Sequence, residues 1–295
     1  MPALITGIIA SVLLLTNILF WVTFLMILTL LSKIIPVPAI RKVISKLMIM
    51  VAESWVYCNS GWIWLTQKMA WDIRLPQNLD RNGWYFVVSN HQSWVDILLL
   101  QHTLKGRAPF LKFFLKQELI KVPIMGAAWW ALDFPFMKRY SKAYLEKHPE
   151  MRGKDLETTR KACEKFKEIP TSVVNYLEGT RFTQSKHDKQ QSPYQHLLKP
   201  KSGGMAFAMS AMGDQFKSII DVTIDYPDGI PTFWDFLQGK MKRCTVIVEE
   251  KAIPESVRGG DYENDEAFRA TFQHWVQTLW QEKDATLARL KHETA

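Results

Sequence analysis

The residues best suited to chemistry are His91 and Asp96, set in Asn90-His91-Gln92-Ser93-Trp94-Val95-Asp96. An imidazole titrates near neutral pH, so it can take a proton from a hydroxyl and give it back. It needs a carboxylate to hold one ring nitrogen, and Asp96 is close enough in sequence to serve. The run Trp84-Tyr85-Phe86-Val87-Val88 leads in with strand-type residues, and Ile97-Leu98-Leu99-Leu100 leads out with helix-type ones. The histidine therefore stands where a buried strand meets a helix, and α/β proteins bind ligands outside the carboxyl ends of their strands. In a helix beginning near Ser93, Asp96 occupies the first turn, where the helix dipole and free N–H groups favour its ionised form. The same letters also fit an ordinary helix start, with an Asn or Ser as N-cap. Context has to separate the two.

A second constellation, Glu178-Gly179-Thr180-Arg181, follows the strand-type run Thr171-Ser172-Val173-Val174-Asn175-Tyr176-Leu177. Glycine permits a tight turn and close approach of backbone to ligand. Arginine offers a rigid donor fork suited to phosphate. A plain Glu–Arg ion pair at a strand end is the alternative. Arg139 adds a basic group after the extended segment from Phe134, although taken alone it reads first as a surface charge. Lys199 and Lys201, before Gly203-Gly204 and a helix, could meet an anion at that helix start or lie on a solvated loop.

The elements that must position these residues alternate between strand and helix, which predicts an α/β layered domain. Strands are expected at Trp71–Leu75, Trp84–Val88, Pro109–Leu115, Thr171–Leu177, Ile219–Tyr226 and Cys244–Val248. Helices are expected at Ala127–Leu132, Asp155–Lys167, Met205–Met212, Pro231–Leu237 and Asp261–Leu290, with a short one through Glu118 and Leu119. Gln184 to Pro200 is polar and without period, so it reads as a loop.

Ahead of this domain, Met1 to Ser32 carries no charged side chain. As a helix, Leu4 to Leu31 is about 40 Å long, enough for a bilayer core. The run is too long for a secretory signal and lacks a basic start. Lys33, Arg41, Lys42 and Lys46 follow it, so the positive-inside bias places the remainder in the cytoplasm. Pro36-Val37-Pro38 ends the first helix, and Ile40 to Leu65 reads as a helix lying in the interface, with Trp55, Trp62 and Trp64 along it.

Composition agrees with both parts. The chain has 295 residues, 47% of them hydrophobic, and a formal net charge of +8. A basic balance suits an anionic partner, and twelve tryptophans favour a membrane surface over nucleic acid. No nucleic-acid motif appears, and the basic residues are spread among acidic ones. Cys58, Cys163 and Cys244 are scattered without metal-ligand spacing, as in a reducing compartment.

Taken in order, Asn90-His91-x4-Asp96, Arg139 after Phe136, and Glu178-Gly179-Thr180-Arg181 resemble the membrane-bound glycerolipid acyltransferases. The likeness is strongest to the 1-acylglycerol-3-phosphate acyltransferases of the PlsC type. Phrases such as Pro135-Phe136-Met137-Lys138-Arg139-Tyr140 and Arg181-Phe182-Thr183-Gln184 look like their bacterial YihG-type branch. The resemblance implies a glycerolipid-acyltransferase-like α/β domain over residues 71–295. Residues 1–70 would be its membrane anchor, with helix 4–31 and interfacial helix 40–65, on the cytoplasmic side of a bacterial inner membrane.

It also implies His91 as general base on the acceptor hydroxyl, with Asp96 orienting it. Arg139 and Arg181 would hold the acceptor phosphate, and Glu178, Gly179 and Thr180 would shape that pocket. The partners would be a lysophospholipid acceptor and an acyl thioester on coenzyme A or acyl carrier protein, with no metal or bound cofactor. The developing oxyanion also needs donors, and the N–H groups after His91 are candidates. Leu177 departs from the proline common before the Glu, and Ile220-Asp221-Val222-Thr223-Ile224 lacks the proline often found there. A non-catalytic, membrane-anchored lipid-binding scaffold is the rival reading. A hydrolase is weaker, because no Gly-x-Ser-x-Gly elbow is present.

Overall fold

A computed structural model describes residues 2–137, 148 and 165–294. Arg139 and the expected helix from Asp155 fall outside the described residues, the latter but for its last turn, a short 3-10 turn at Lys165–Glu168. The chain opens with α1 (Ala3–Ile34) and α2 (Pro38–Thr66). Pro36 and Pro38 separate them, and Pro38 starts α2 at the position where a missing N–H costs nothing. Then come β1 (Ala70–Arg74), β2 (Tyr85–Ser89), α3 (Val95–Leu104), β3 (Leu111–Phe113) and β4 (Leu115–Lys116). A 3-10 turn at Gln117–Lys121 precedes α4 (Met125–Ala131) and β5 (Phe136–Met137). After β6 (Ser172–Tyr176) follow α5 (Gln184–Gln190), α6 (Gly203–Met212), β7 (Ser218–Asp225), α7 (Phe233–Leu237), β8 (Arg243–Lys251) and α8 (Glu266–Thr294).

Among the described residues, six strands form one sheet in the order β1-β8-β7-β2-β6-β3, parallel throughout except for the β7–β8 pair. All five residues of β2 are buried, as a central parallel strand covered on both faces requires. Its side chains alternate between two cores. Tyr85 and Val87 pack on the face covered by α1, α2 and α3, while Phe86 and Val88 face α6 and α8. Register places Ser89 beside Tyr176 of β6 and Val222 of β7. The His91 turn and the Glu178 turn therefore leave the same edge of the sheet, side by side.

Two expectations change. The run from Pro109 to Leu115 is not one strand. It stays in the main sheet through Phe113, and at Leu115 its N–H turns to the Pro135 carbonyl (3.0 Å), forming a two-stranded sheet with β5. The polar stretch from Gln184 is not all loop, since it begins with α5. None of the side chains of α5 is buried, so no apolar period marks it. It is held locally by the Thr183 hydroxyl, which accepts from the Lys186 N–H (3.3 Å), and by Gln191 in the left-handed region (φ +47°).

Helix α1 is long and apolar enough to cross a membrane. Yet it contacts the α/β layers near both ends. At Gly7 the backbone closes on Trp234 and Gln238, so that an added Cβ would come within 3.0 Å of both side chains, and Lys33 lies 4.2 Å from the Trp130 ring. Between them Asn17 donates to Asn59 Oδ1 (2.8 Å) and to the Trp55 carbonyl (3.2 Å) of α2. The outer side leaves Leu4, Ile8, Val12, Leu15 and Leu19 exposed.

A buried ion pair ties α8 to the sheet. Lys283, 1% exposed, meets Asp221 Oδ1 and donates to the Val222 carbonyl (2.6 Å). Burial pulls the lysine below its ordinary range and Asp221 opposes that. Asp221→Ala strands the ammonium and is expected to lower unfolding stability by about 3–5 kcal/mol. The paired Asp221→Leu, Lys283→Met replacement should keep most of it. Urea unfolding of both variants checks this, and a loss below about 1 kcal/mol in the single variant would show that the lysine finds another partner.

Candidate active site

The turn after β2 is built from its side chains. Asn90 behaves as an extra rung of the sheet. Its Nδ2 donates to the Ile224 carbonyl (2.8 Å), and its Oδ1 accepts the Ile224 N–H (2.9 Å). It is not the N-cap of α3. That position is Trp94, without a side-chain cap bond. Ser93 Oγ donates to the Pro231 carbonyl (2.7 Å) and accepts from the Val95 N–H (3.3 Å).

His91 is gripped at main chain and ring. Its N–H donates to Glu178 Oε1 (3.0 Å), and its carbonyl accepts the Phe182 N–H (2.7 Å). Its ring lies flat on Tyr176, with centroids 4.0 Å apart and planes 14° from parallel. Nδ1 sits 2.8 Å from Asp96 Oδ2. An ionised carboxylate only accepts, so the proton between them belongs to Nδ1, and Nε2 is the basic nitrogen. The His91 side chain remains 12% exposed.

Asp96 lies in the first turn of α3, as expected, and is fully buried there. Its Oδ2 also accepts the N–H groups of Gln92 (2.7 Å) and Ser93 (2.9 Å), and its Oδ1 accepts from the Tyr226 hydroxyl. This corrects one expectation. The N–H groups that directly follow His91 are committed to Asp96, so they do not serve a developing oxyanion.

The second constellation divides in two. Glu178 turns inward and is fully buried, with Oε1 on the His91 N–H and Oε2 on the Leu198 N–H (3.2 Å). Burial pushes its carboxyl up to about 8, and the two N–H donors oppose that. Glu178 thus braces the backbone of His91, and its partners are not Arg181. Gly179, at φ +67°, makes the tight turn, with its N–H on the Tyr176 carbonyl (2.9 Å). Thr180 and Arg181 turn outward. The Arg181 guanidinium lies 4.7 Å above the Trp94 ring, at the rim of the His91 turn. Lys186 of α5 donates to Thr180 Oγ1 (2.9 Å) and to the Arg181 carbonyl (2.8 Å). Lys199 and Lys201 have exposed side chains, and the Lys201 N–H holds the Leu177 carbonyl (2.7 Å).

An apolar cavity of about 420 Å³ adjoins this site. Its walls include Leu98, Met125 and Trp129. Two other wall residues connect it to the polar groups. Trp94 carries Arg181, and Phe113 packs on Tyr176 beneath His91 (6.0 Å).

Sequence reasoning named His91, Asp96, Glu178, Gly179, Thr180 and Arg181, and the fold brings all six to one edge. It missed the bracing by Tyr176 and Tyr226 and the part played by Lys186. Tyrosines inside strand-type runs carry no motif, and Lys186 lay in a stretch read as loop.

The acyltransferase family model matches residues 71–227, more than half of the chain, and the chain belongs to that family. It is 29% identical over 211 residues to mouse 1-acyl-sn-glycerol-3-phosphate acyltransferase gamma, covering 68% of this chain and 51% of that one. It is 26% identical over 216 residues to the human delta form, with the same coverage. The chain spans about half the length of the curated relatives it matches. The crystal structure of the 1-acyl-sn-glycerophosphate acyltransferase PlsC from Thermotoga maritima shares the fold. Its TM-score is 0.53 at 16% identity, covering 94% of this chain and 97% of that one.

Proposed function

We propose that the chain is an O-acyltransferase that moves a fatty acyl group from an acyl thioester to the free hydroxyl of a lysophosphatidate-type acceptor. The observation that carries this is the Nδ1–Oδ2 contact of 2.8 Å between His91 and Asp96, set between an apolar cavity and an outward arginine. The names of the relatives support the acceptor class. The finer likeness to the YihG-type branch rests on the sequence phrases quoted above.

His91 Nε2 takes the proton as the acceptor oxygen bonds to the thioester carbonyl carbon. The tetrahedral intermediate then collapses, the C–S bond breaks, and the imidazolium returns the proton to the departing thiolate. Asp96 holds the tautomer and stabilises the transient positive charge. The donor is a thioester of coenzyme A or acyl carrier protein. Arg181, with Arg139, binds the acceptor phosphate, and Glu178, Gly179 and Thr180 shape the turn that presents it. Holding the phosphate away from the reacting carbonyl turns binding energy into orientation. The apolar cavity suits a fatty chain.

Helix α1 lies along one leaflet with its apolar outer side in lipid. A helix seated on the same layers near both ends supports this placement over a perpendicular crossing. Lys33, Arg41, Lys42 and Lys46 face anionic headgroups, with the catalytic domain on the cytoplasmic side of a bacterial inner membrane.

The test is an acyl-transfer assay on the full chain in detergent or lipid discs, pairing several lysolipid acceptors with acyl-CoA and acyl carrier protein donors. Transfer to a lysophosphatidate-type acceptor is expected. Acceptor binding without transfer from any donor would leave the scaffold reading in its place. Within that assay, Arg181→Ala is expected to raise the acceptor KM about tenfold or more while kcat changes little, as for loss of a charged contact made equally in ground and transition states. An unchanged acceptor KM would remove Arg181 from the phosphate site.

A further inference from the structure

Asp96 is a fully buried carboxylate whose oxygens are treated differently. Oδ2 gathers three donors from its own turn, namely His91 Nδ1 and the N–H groups of Gln92 and Ser93. Oδ1 accepts from the hydroxyl of Tyr226, which stands 130 positions away and just past the end of β7. Tyr226 is 2% exposed, and the Asn90–Ile224 clamp fixes the chain two residues before it. Burial first, and then the Asp96 charge, push its hydroxyl well above the ordinary phenol range, so it remains a neutral donor.

We propose that Tyr226 is a positioning residue for the acyl-transfer site. Its hydroxyl fixes the plane of the Asp96 carboxylate and draws charge away from Oδ2, which sets how readily His91 takes up a proton. This rests on the reading of His91 as the base. Without the bond, Oδ1 would be a buried, unpaired acceptor, and the charge facing the imidazole would be more concentrated. The imidazolium would then be over-stabilised, and a base that holds its proton too firmly returns it poorly.

Other groups bear on the same centre from neighbouring elements. Tyr176 of β6 lies under the His91 ring, and Glu178 in the following turn holds its N–H. Cys244 of β8 acts on Tyr226, and Lys283 of α8 acts on Glu178. Both test substitutions leave all four of these untouched.

The experiment uses the full chain in lipid discs, with Tyr226→Phe and with 3-fluorotyrosine placed at the same position. The His91 ring is followed by NMR through a pH titration, its signals assigned by their loss in His91→Gln. In Tyr226→Phe the His91 midpoint is expected to rise by about one pH unit. The acid limb of kcat/KM should rise with it, with acceptor KM unchanged. The fluorinated residue is a stronger donor and should move both the other way. Titrations and rate profiles that superimpose on wild type would overturn the proposal and leave Tyr226 as packing, whatever happens to Tm. If Tyr226→Phe fails to fold, the fluorinated protein, which keeps ring and hydroxyl, still decides. If the wild type transfers no acyl group, the functional reading fails on its own, while the ring titration still judges the role of Tyr226.

Discussion

His91→Ala is expected to lower kcat/KM for acyl transfer by about 10³-fold, within the range seen when a positioned general base is removed. The fold should survive. The main chain at this position is held by Glu178 and the Phe182 N–H, neither of which depends on the ring. What is lost is the stack on Tyr176 and the donor to Asp96. That loss leaves a flat hole above Tyr176, so added imidazole should restore part of the rate. Steady-state kinetics without and with imidazole, together with Tm, measure the three parts. Near-normal turnover in a folded variant would end the assignment of His91 as base.

Asp96→Asn is expected to cost about 10²-fold in kcat, and the reason lies in the donors around it. An asparagine presents one oxygen and one NH2 group. Three donors converge on the Oδ2 position, so the amide oxygen must sit there and the NH2 must face Tyr226, whose hydroxyl can then accept. The Nδ1–H tautomer of His91 is therefore kept. Only the negative charge disappears, and with it the stabilisation of the imidazolium. The acid limb of kcat/KM should accordingly move to lower pH, opposite in sign to Tyr226→Phe. Asp96→Ala is a harsher change, because it also leaves the Gln92 and Ser93 N–H groups buried without partners, at about 1–3 kcal/mol each. If Asp96→Asn shifted the limb upward, or left rate and profile unchanged, Asp96 would not be the charge partner of His91.

Much of the fold was legible because it is written locally. An unbroken apolar run such as Tyr85-Phe86-Val87-Val88 can satisfy its backbone only inside a sheet covered on both faces, and it became central strand β2. The uncharged stretch before Lys33 became a helix with an apolar outer side. The spacing of His91 and Asp96 across one turn was enough for contact once a helix began between them. Helix α5 escaped because its hold is a cap rather than a buried face. The break between β3 and β4 escaped because it depends on the distant Pro135 carbonyl.

By itself the sequence determined which residues are chemically able, which elements they terminate, and that His91 can reach Asp96. Tertiary structure alone decided what those residues face. Whether Glu178 points at Arg181 or at the backbone of His91 depends on β6 lying beside β2, a pairing across 87 positions. That Tyr226 completes the shell of Asp96 depends on β7 flanking β2 on its other side. Local spacing governs contacts within a turn, because bond geometry carries them. The order of strands in a sheet is settled by burying two faces at once, and no single stretch of chain encodes it.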